Sequence, residues 1–103
     1  SPEQVFYADV DPTITAKAIA RLKAQSLACV STVLTAAAWR ELPSSYLLCE
    51  QDEALPVPAQ EVMGARTNIV EPLASSHSPF LSRPADAAAF IARAAERGRP
   101  VQG

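Results

Sequence analysis

The five residues Ser45-Tyr46-Leu47-Leu48-Cys49 decide the fold class of this chain. They form a short, nearly unbroken apolar run between Pro43 and the polar cluster Glu50-Gln51-Asp52-Glu53. Strands with one wet face alternate apolar and polar residues, whereas a continuous apolar run suits a strand buried on both faces. That is the situation in a parallel sheet covered by helices. Pro56 and Pro58 then open a helix predicted over Val57 to about Ala65, with Val62 and Met63 on the face covering the sheet. Thr67-Asn68-Ile69-Val70-Glu71-Pro72-Leu73 reads as a second strand. The order strand, helix, strand predicts a right-handed parallel crossover, so the fold class is α/β.

The flanks add helices. Asp11-Pro12 is a helix start, because Asp caps free amides and Pro at the first position has no N–H to leave unpaired. Ile14, Ala18 and Leu22, widened by Ile19, predict an amphipathic helix over about 12–25. Residues 1–10 read as an irregular lead-in carrying Val5, Phe6 and Tyr7. Residues 26–39 read as an irregular stretch followed by helix from about Thr32 to Arg40, ended by Glu41-Leu42-Pro43. Ala74 to Arg83 reads as a Ser-rich loop. Arg83-Pro84 opens a last helix, Ala85 to about Glu96, with Ala88, Ile91, Ala92 and Ala95 on one face. Arg93, Arg97 and Arg99 read as a solvated face near its end, where cations suit the helix dipole. Two strands are too few for a free-standing parallel sheet, so the sheet is expected to be incomplete in this chain. The open edge of the first strand should then be covered by other polypeptide or by a second copy. The start Ser-Pro-Glu-Gln, with no Met, reads as cut from something longer.

Composition narrows the function classes. The formal net charge of −2 over 103 residues offers no electrostatic basis for nucleic acid. No apolar run approaches the roughly 20 residues of a membrane helix, and no signal peptide is recognisable, so the expected location is cytoplasmic. Cys29 and Cys49 are too few for a disulfide scaffold, and the sequence leaves open whether they pair. Glu50, Glu53 and Glu71 lack metal-ligand spacing and one His is thin material for zinc, so no metal is expected. No glycine-rich phosphate loop is present, and no cofactor is expected.

The residues left with chemistry are His77 and Asp52. His77 lies in Ser75-Ser76-His77-Ser78-Pro79, directly after the second predicted strand, and Asp52 lies just past the first. Ligands of open α/β sheets bind beyond the carboxyl ends of strands, and both residues fall at that edge. A carboxylate bonded to one imidazole nitrogen fixes the tautomer and frees the other nitrogen to act as a base. By spacing alone, a loop histidine is more often a surface or capping residue. Ser76 and Ser78 are poorly placed to serve as the nucleophile, because adjacent residues seldom let a hydroxyl meet its neighbour's ring in attack geometry, and Cys49 is an inert buried thiol if it lies in the strand.

The local sequences go further. Tyr46-Leu-Leu-Cys-Glu-Gln-Asp52-Glu-Ala-Leu-Pro56, with Gln60 and Met63, resembles the acid-bearing strand end of α/β-hydrolases in the small esterase and hydroxynitrile-lyase branch. Ala74-Ser-Ser-His77-Ser-Pro-Phe80-Leu-Ser-Arg-Pro84 resembles the same family's histidine loop, and Phe6-Tyr7-Ala8-Asp9-Val10, Ala37-Ala38-Trp39 and Leu42-Pro43 are similar to upstream parts of that branch. The likeness covers nearly the whole chain but only the C-terminal half of the family's length. It implies one incomplete domain, with 1–43 as cap-proximal and connecting helices and 44–103 as the terminal strand-helix-strand-helix unit of the sheet. It implies Asp52 as triad acid and His77 as triad base, in the family's order of nucleophile, acid, histidine. Trp39, Phe6 and Tyr7 read as core or cap packing, or, on the sharper reading, Phe6 and Tyr7 help line an acyl pocket for a small ester-like substrate under a cap; Phe80 is expected to pack beneath the histidine loop. The family's G-x-S-x-G elbow does not occur here, so the N-terminal half of the hydrolase is the implied partner. The alternative is a non-catalytic remnant or interaction module of the same fold. Ser76 stands where the family often has Gly, which would strain the loop if that position required positive φ.

Overall fold

Strand β1 (Ser45–Cys49) and strand β2 (Ile69–Leu73) pair in parallel, with Ser45 opposite Ile69 and Cys49 opposite Leu73, in a computed structural model that describes residues 1–99. In chain order the helices are α1 (Pro2–Tyr7), α2 (Pro12–Ala20), α3 (Ala28–Ser31), α4 (Val57–Gly64), α5 (Pro79–Ser82) and α6 (Pro84–Arg97), with a 3-10 turn at Ala38–Arg40.

Helix α4 forms the crossover and lies against one sheet face. A Cβ added at Gly64 would sit 3.0 Å from Val70 Cγ2 and 3.6 Å from the Tyr46 ring, so the missing side chain lets the helix approach the sheet closely and a methyl here would crowd Val70. Tyr46 and Val70 are register partners and share that face. Helix α6 reaches the other face: Arg97 donates to Ser45 Oγ at 3.2 Å and to Glu71 Oε2 at 2.8 Å, and Arg93 donates to Glu71 Oε1 at 3.0 Å. Arg93 and Arg97 therefore tie helix to sheet while remaining exposed, and Arg99 stays on the solvated face, paired with Glu96. The Arg97 hydrogen bond, with lesser help from both positive charges, outweighs burial and holds the Glu71 carboxyl below its ordinary value.

Helices lie on both faces, yet of the two strands only Cys49 is buried and Ile69 and Val70 stay exposed. Full burial on both faces is therefore not reached in this chain. Two strands give each helix too narrow a surface to cover, and the radius of gyration of 15.6 Å exceeds the roughly 13 Å of a compact domain this size.

Several expected elements differ. Residues 2–7 are helical rather than irregular, since Ser1 Oγ accepts from Gln4 N–H at 3.4 Å and Pro2 opens the first turn. The Asp11-Pro12 helix starts as expected, with Asp11 Oδ1 accepting from Thr13 N–H at 2.9 Å. It stops at Ala20, where Arg21 and Leu22 turn back onto Ala18 and Ile19 in tighter bonds. The helix expected from Thr32 to Arg40 does not form: α3 ends at Ser31, within the stretch expected to be irregular, and only the 3-10 turn Ala38–Arg40 follows. The Thr32 hydroxyl bonds back to Ala28 O at 2.6 Å and its backbone leaves in an extended conformation. Val33 and Leu34 then lie exposed, with no packed face to reward helix formation. The serine-rich loop holds the one-turn α5, and Phe80 is 64 % exposed instead of packed beneath the loop. Val62, on α4, is likewise 60 % exposed and does not cover the sheet. In α6 the inward residues are Ala87, Phe90 and Ala94, while Ala88, Ile91, Ala92 and Ala95 face out.

Candidate active site

The parallel ladder continues past the strand ends. Glu50 N–H donates to Leu73 O at 2.9 Å and Gln51 N–H to Ser75 O at 3.0 Å. These bonds bring the loop after β1 beside the loop after β2, at the carboxyl edge of the sheet, and so set Asp52 next to His77.

Asp52 is held by its own turn. Its Oδ1 accepts from Ala54 N–H at 2.8 Å and from Leu55 N–H at 2.9 Å, an arrangement short polar side chains favour in turns. Its Oδ2 is left to meet His77 Nδ1 at 2.9 Å. A carboxylate only accepts, so Nδ1 carries the proton and donates, and Nε2 is the ring's basic nitrogen. The Asp52 side chain is 5 % exposed and the His77 side chain 39 %. The acid is enclosed and the imidazole reaches the surface, the asymmetry required if the ring is to meet a reacting group from outside.

Gln60 supports the acid's turn. Alternate residues of a parallel strand bond to the same neighbour. Glu50 bonds towards β2, so Cys49 turns its N–H and C=O to the open edge of β1. There the Gln60 amide takes both: Cys49 N–H donates to Oε1 at 2.8 Å, and Nε2 donates to Cys49 O at 2.8 Å and to Leu55 O at 3.0 Å. Gln60 is 1 % exposed. It locks the last residue of β1 to Leu55, whose amide in turn holds Asp52. The sequence marks it faintly, as a polar residue within the Val57, Gln60, Gly64 stripe of α4.

The histidine loop is enclosed on its serines, with Ser75, Ser76 and Ser78 all buried. Every non-glycine residue with described backbone has negative φ, so Ser76 sits before His77 without the strain a left-handed position would impose. Asp9, which sequence reasoning passed over as a site residue, reaches this loop from 67 residues away. Its Oδ2 accepts from Ser76 N–H at 3.0 Å and its Oδ1 from the Ser76 hydroxyl. Burial pushes the Asp9 carboxyl up, but hydrogen bonds from Ser76, Ser82 and its own backbone outweigh burial and hold it below its ordinary value.

Of the aromatic residues expected here, Phe6 meets the imidazole and Tyr7 packs against Phe6. The Phe6 ring centroid lies 5.4 Å from that of His77. Tyr7 packs edge-on against Phe6 at 6.0 Å and lines a hollow of about 470 Å³ between α1 and α2. Cys49 and Cys29 are free thiols, Cys49 buried and Cys29 exposed. Burial, with smaller help from nearby carboxylates, pushes the Cys49 thiol up, against any role as a nucleophile. Among the described residues no three His, Cys, Asp or Glu side chains gather as a metal site, and no helix is long and apolar enough to cross a membrane.

Comparison with known proteins bears on the fold. A family model described as the alpha/beta hydrolase family matches residues 1–90. The chain is also similar to the alpha/beta hydrolase nvfD of Aspergillus novofumigatus (strain IBT 16806), with 37 % identity over 83 residues. That match takes in 78 % of this chain and 33 % of the relative, so the chain spans about a third of the relative's length. No solved structure matches.

Proposed function

Because this chain belongs to the alpha/beta hydrolase family, we propose that it supplies the acid, Asp52, and the base, His77, of a Ser-His-Asp triad in an esterase-like hydrolase. It would form the C-terminal part of a protein of the small esterase or hydroxynitrile-lyase branch. Residues 1–43 would serve as the cap-proximal and connecting part, and 44–103 as the terminal unit of the sheet. The observation that carries the proposal is the contact of Asp52 Oδ2 with His77 Nδ1 at 2.9 Å, with Asp52 Oδ1 pinned by two backbone amides.

The chemistry follows from that geometry. A serine hydroxyl from another stretch of polypeptide attacks the ester carbonyl while His77 Nε2 takes its proton. Asp52 holds the ring's orientation and stabilises the imidazolium. The tetrahedral intermediate collapses, the ester C–O bond breaks, and the alcohol leaves with the proton from Nε2. Water repeats the sequence on the acyl-serine: Nε2 takes the water's proton and returns it to the serine, and the carboxylic acid is released. Phe6, against the imidazole, would form a wall of the acyl pocket, with Tyr7 bracing it from behind. The polypeptide bearing the serine would also cover the open edge of β1.

The test is covalent labelling of the full protein with a fluorophosphonate, together with hydrolysis of aryl esters. The wild type should label and hydrolyse. Exchanging the triad carboxylate for its amide costs serine hydrolases about ten thousand-fold in kcat, so Asp52→Asn should fall by that order and His77→Ala at least as far. A full protein that neither labels nor hydrolyses with Asp52 and His77 intact would overturn the proposal in favour of a non-catalytic module of the same fold.

A further inference from the structure

We propose that Asp9 is a positioning residue for His77, acting through the backbone amide and hydroxyl of Ser76. Both oxygens of Asp9 are committed to Ser76, one to the N–H and one to the hydroxyl. The Ser76 carbonyl is held as well, accepting from Ser75 Oγ at 3.0 Å, and the Ser75 carbonyl accepts from Gln51 N–H at 3.0 Å. The residue immediately before His77 is thus fixed at its donor groups by Asp9 and at its acceptor by its own loop. Asp9 is itself exposed, and its backbone is anchored through its neighbour. It follows α1, Val10 beside it is buried, Val10 N–H donates to Tyr7 O at 3.0 Å, and Val10 O accepts from the Thr15 hydroxyl at 3.4 Å.

The same short segment touches the imidazole directly through Phe6. The ring is therefore placed from two sides. Asp52 fixes the direction in which Nδ1 points, and the Phe6–Asp9 segment fixes where the ring's backbone stands. A base that must meet a hydroxyl within hydrogen-bond reach loses rate when its backbone drifts, even if its own partner carboxylate follows it.

This inference rests on His77 being the base, and the experiment separates the two. The full protein is prepared as wild type, Asp9→Ala, Asp9→Asn and Ser76→Ala, with Asp52→Asn as a reference. Two quantities are read: the low-field Nδ1 proton of His77, by NMR with labelled histidine, and kcat and KM for an aryl ester. Asp9→Ala should weaken the Nδ1 proton signal and speed its exchange towards the Asp52→Asn reference, and lower kcat about 10- to 100-fold with KM near the wild-type value. Asp9→Asn keeps one acceptor oxygen and Ser76→Ala keeps the amide bond, so both should give smaller changes in the same direction. These two also decide the matter if Asp9→Ala does not fold. A His77 Nδ1 signal and a kcat that match wild type in both milder variants would overturn the inference. If instead only the assignment of His77 as base is wrong, ester hydrolysis ignores all the variants while the imidazole signal still responds to Asp9.

Discussion

Replacing Gln60 by leucine keeps the volume of the side chain and removes every hydrogen bond it makes. Three backbone groups then lose their partner: Cys49 N–H, Cys49 C=O and Leu55 C=O. Cys49 is 7 % exposed, so water does not readily replace the amide there, while half-buried Leu55 regains some solvation. Abandoning a buried backbone group costs about 1–3 kcal/mol. With the lower figure for each of the three, the change destabilises by about 3 kcal/mol. For a domain of this size that corresponds to a fall in Tm of roughly 12–24 °C. The assay is denaturant unfolding followed by circular dichroism, with Glu61→Leu as an exposed control on the same helix, expected within about 0.5 kcal/mol of wild type. Gln60→Glu should be at least as damaging as the leucine variant, because a carboxylate cannot donate to the two carbonyls. A Gln60→Leu protein as stable as its Glu61→Leu control would refute the reasoning, since it would mean that these bonds contribute nothing net beyond what the apolar side chain supplies.

Gly64→Ala should destabilise by about 1 kcal/mol, because crowding costs of 1–3 kcal/mol outweigh the helix propensity gained. The new methyl would meet Val70 Cγ2 at 3.0 Å. In a Val70→Ala background the penalty should vanish, and an equal penalty in both backgrounds would show that the contact is not its cause. The depressed Glu71 carboxyl predicts a pH dependence whose sign is fixed. Its stabilisation is fully present above the unfolded glutamate value of about 4.3 and is lost as pH falls through the lower folded value. The protection of α6 amides against hydrogen exchange, taken relative to the intrinsic exchange rate at each pH, should therefore fall at acid pH in the wild type, and Glu71→Gln should remove that part of the pH dependence. Identical acid profiles for the two proteins would contradict the role given to the Arg93 and Arg97 ties.

What the sequence made legible is the part whose cause is local. Strand β1 and helix α4 follow from an unbroken apolar run and a pair of prolines, and α2 starts at its Asp-Pro cap. Helix α1 begins with the same chemistry, Ser1-Pro2-Glu3, but at six residues in all it is too short to show a periodicity. The inward face of α6 was misplaced because alanine occupies both sides of that helix, so periodicity carries little information and Phe90 alone marks the inside. Between Thr32 and Arg40 helical spacing was present, but spacing forms a helix only when something covers the apolar face. The order of Asp52 and His77 after their strands puts both at one edge of the sheet, but only the resemblance of their local sequences singles them out as a pair. Asp9 was invisible in that role, since a hydrogen bond spanning 67 residues leaves no spacing to read.

The pattern of burial explains why the site is ordered although the apolar packing is thin. The buried apolar residues are Val10, Cys49 and Ala87, whereas the most completely enclosed side chains are Gln60, Ser75 and Ser76. Leu27, Val30, Val33 and Leu34 meanwhile stand exposed. Enclosed polar groups impose directions that apolar contacts do not, because each must meet its partner at a set distance and angle. Gln60 therefore constrains the turn that aims Asp52, and Asp9 constrains the backbone that carries His77, without either depending on a large core. On the proposed reading, the polypeptide that brings the serine would cover the exposed apolar residues and supply stability, while finding the acid and base already aligned. The order of effects follows from this division. Losing the covering polypeptide should cost global stability first, whereas losing Gln60 or Asp9 should disturb the alignment of Asp52 or His77 even where the rest of the fold is secure.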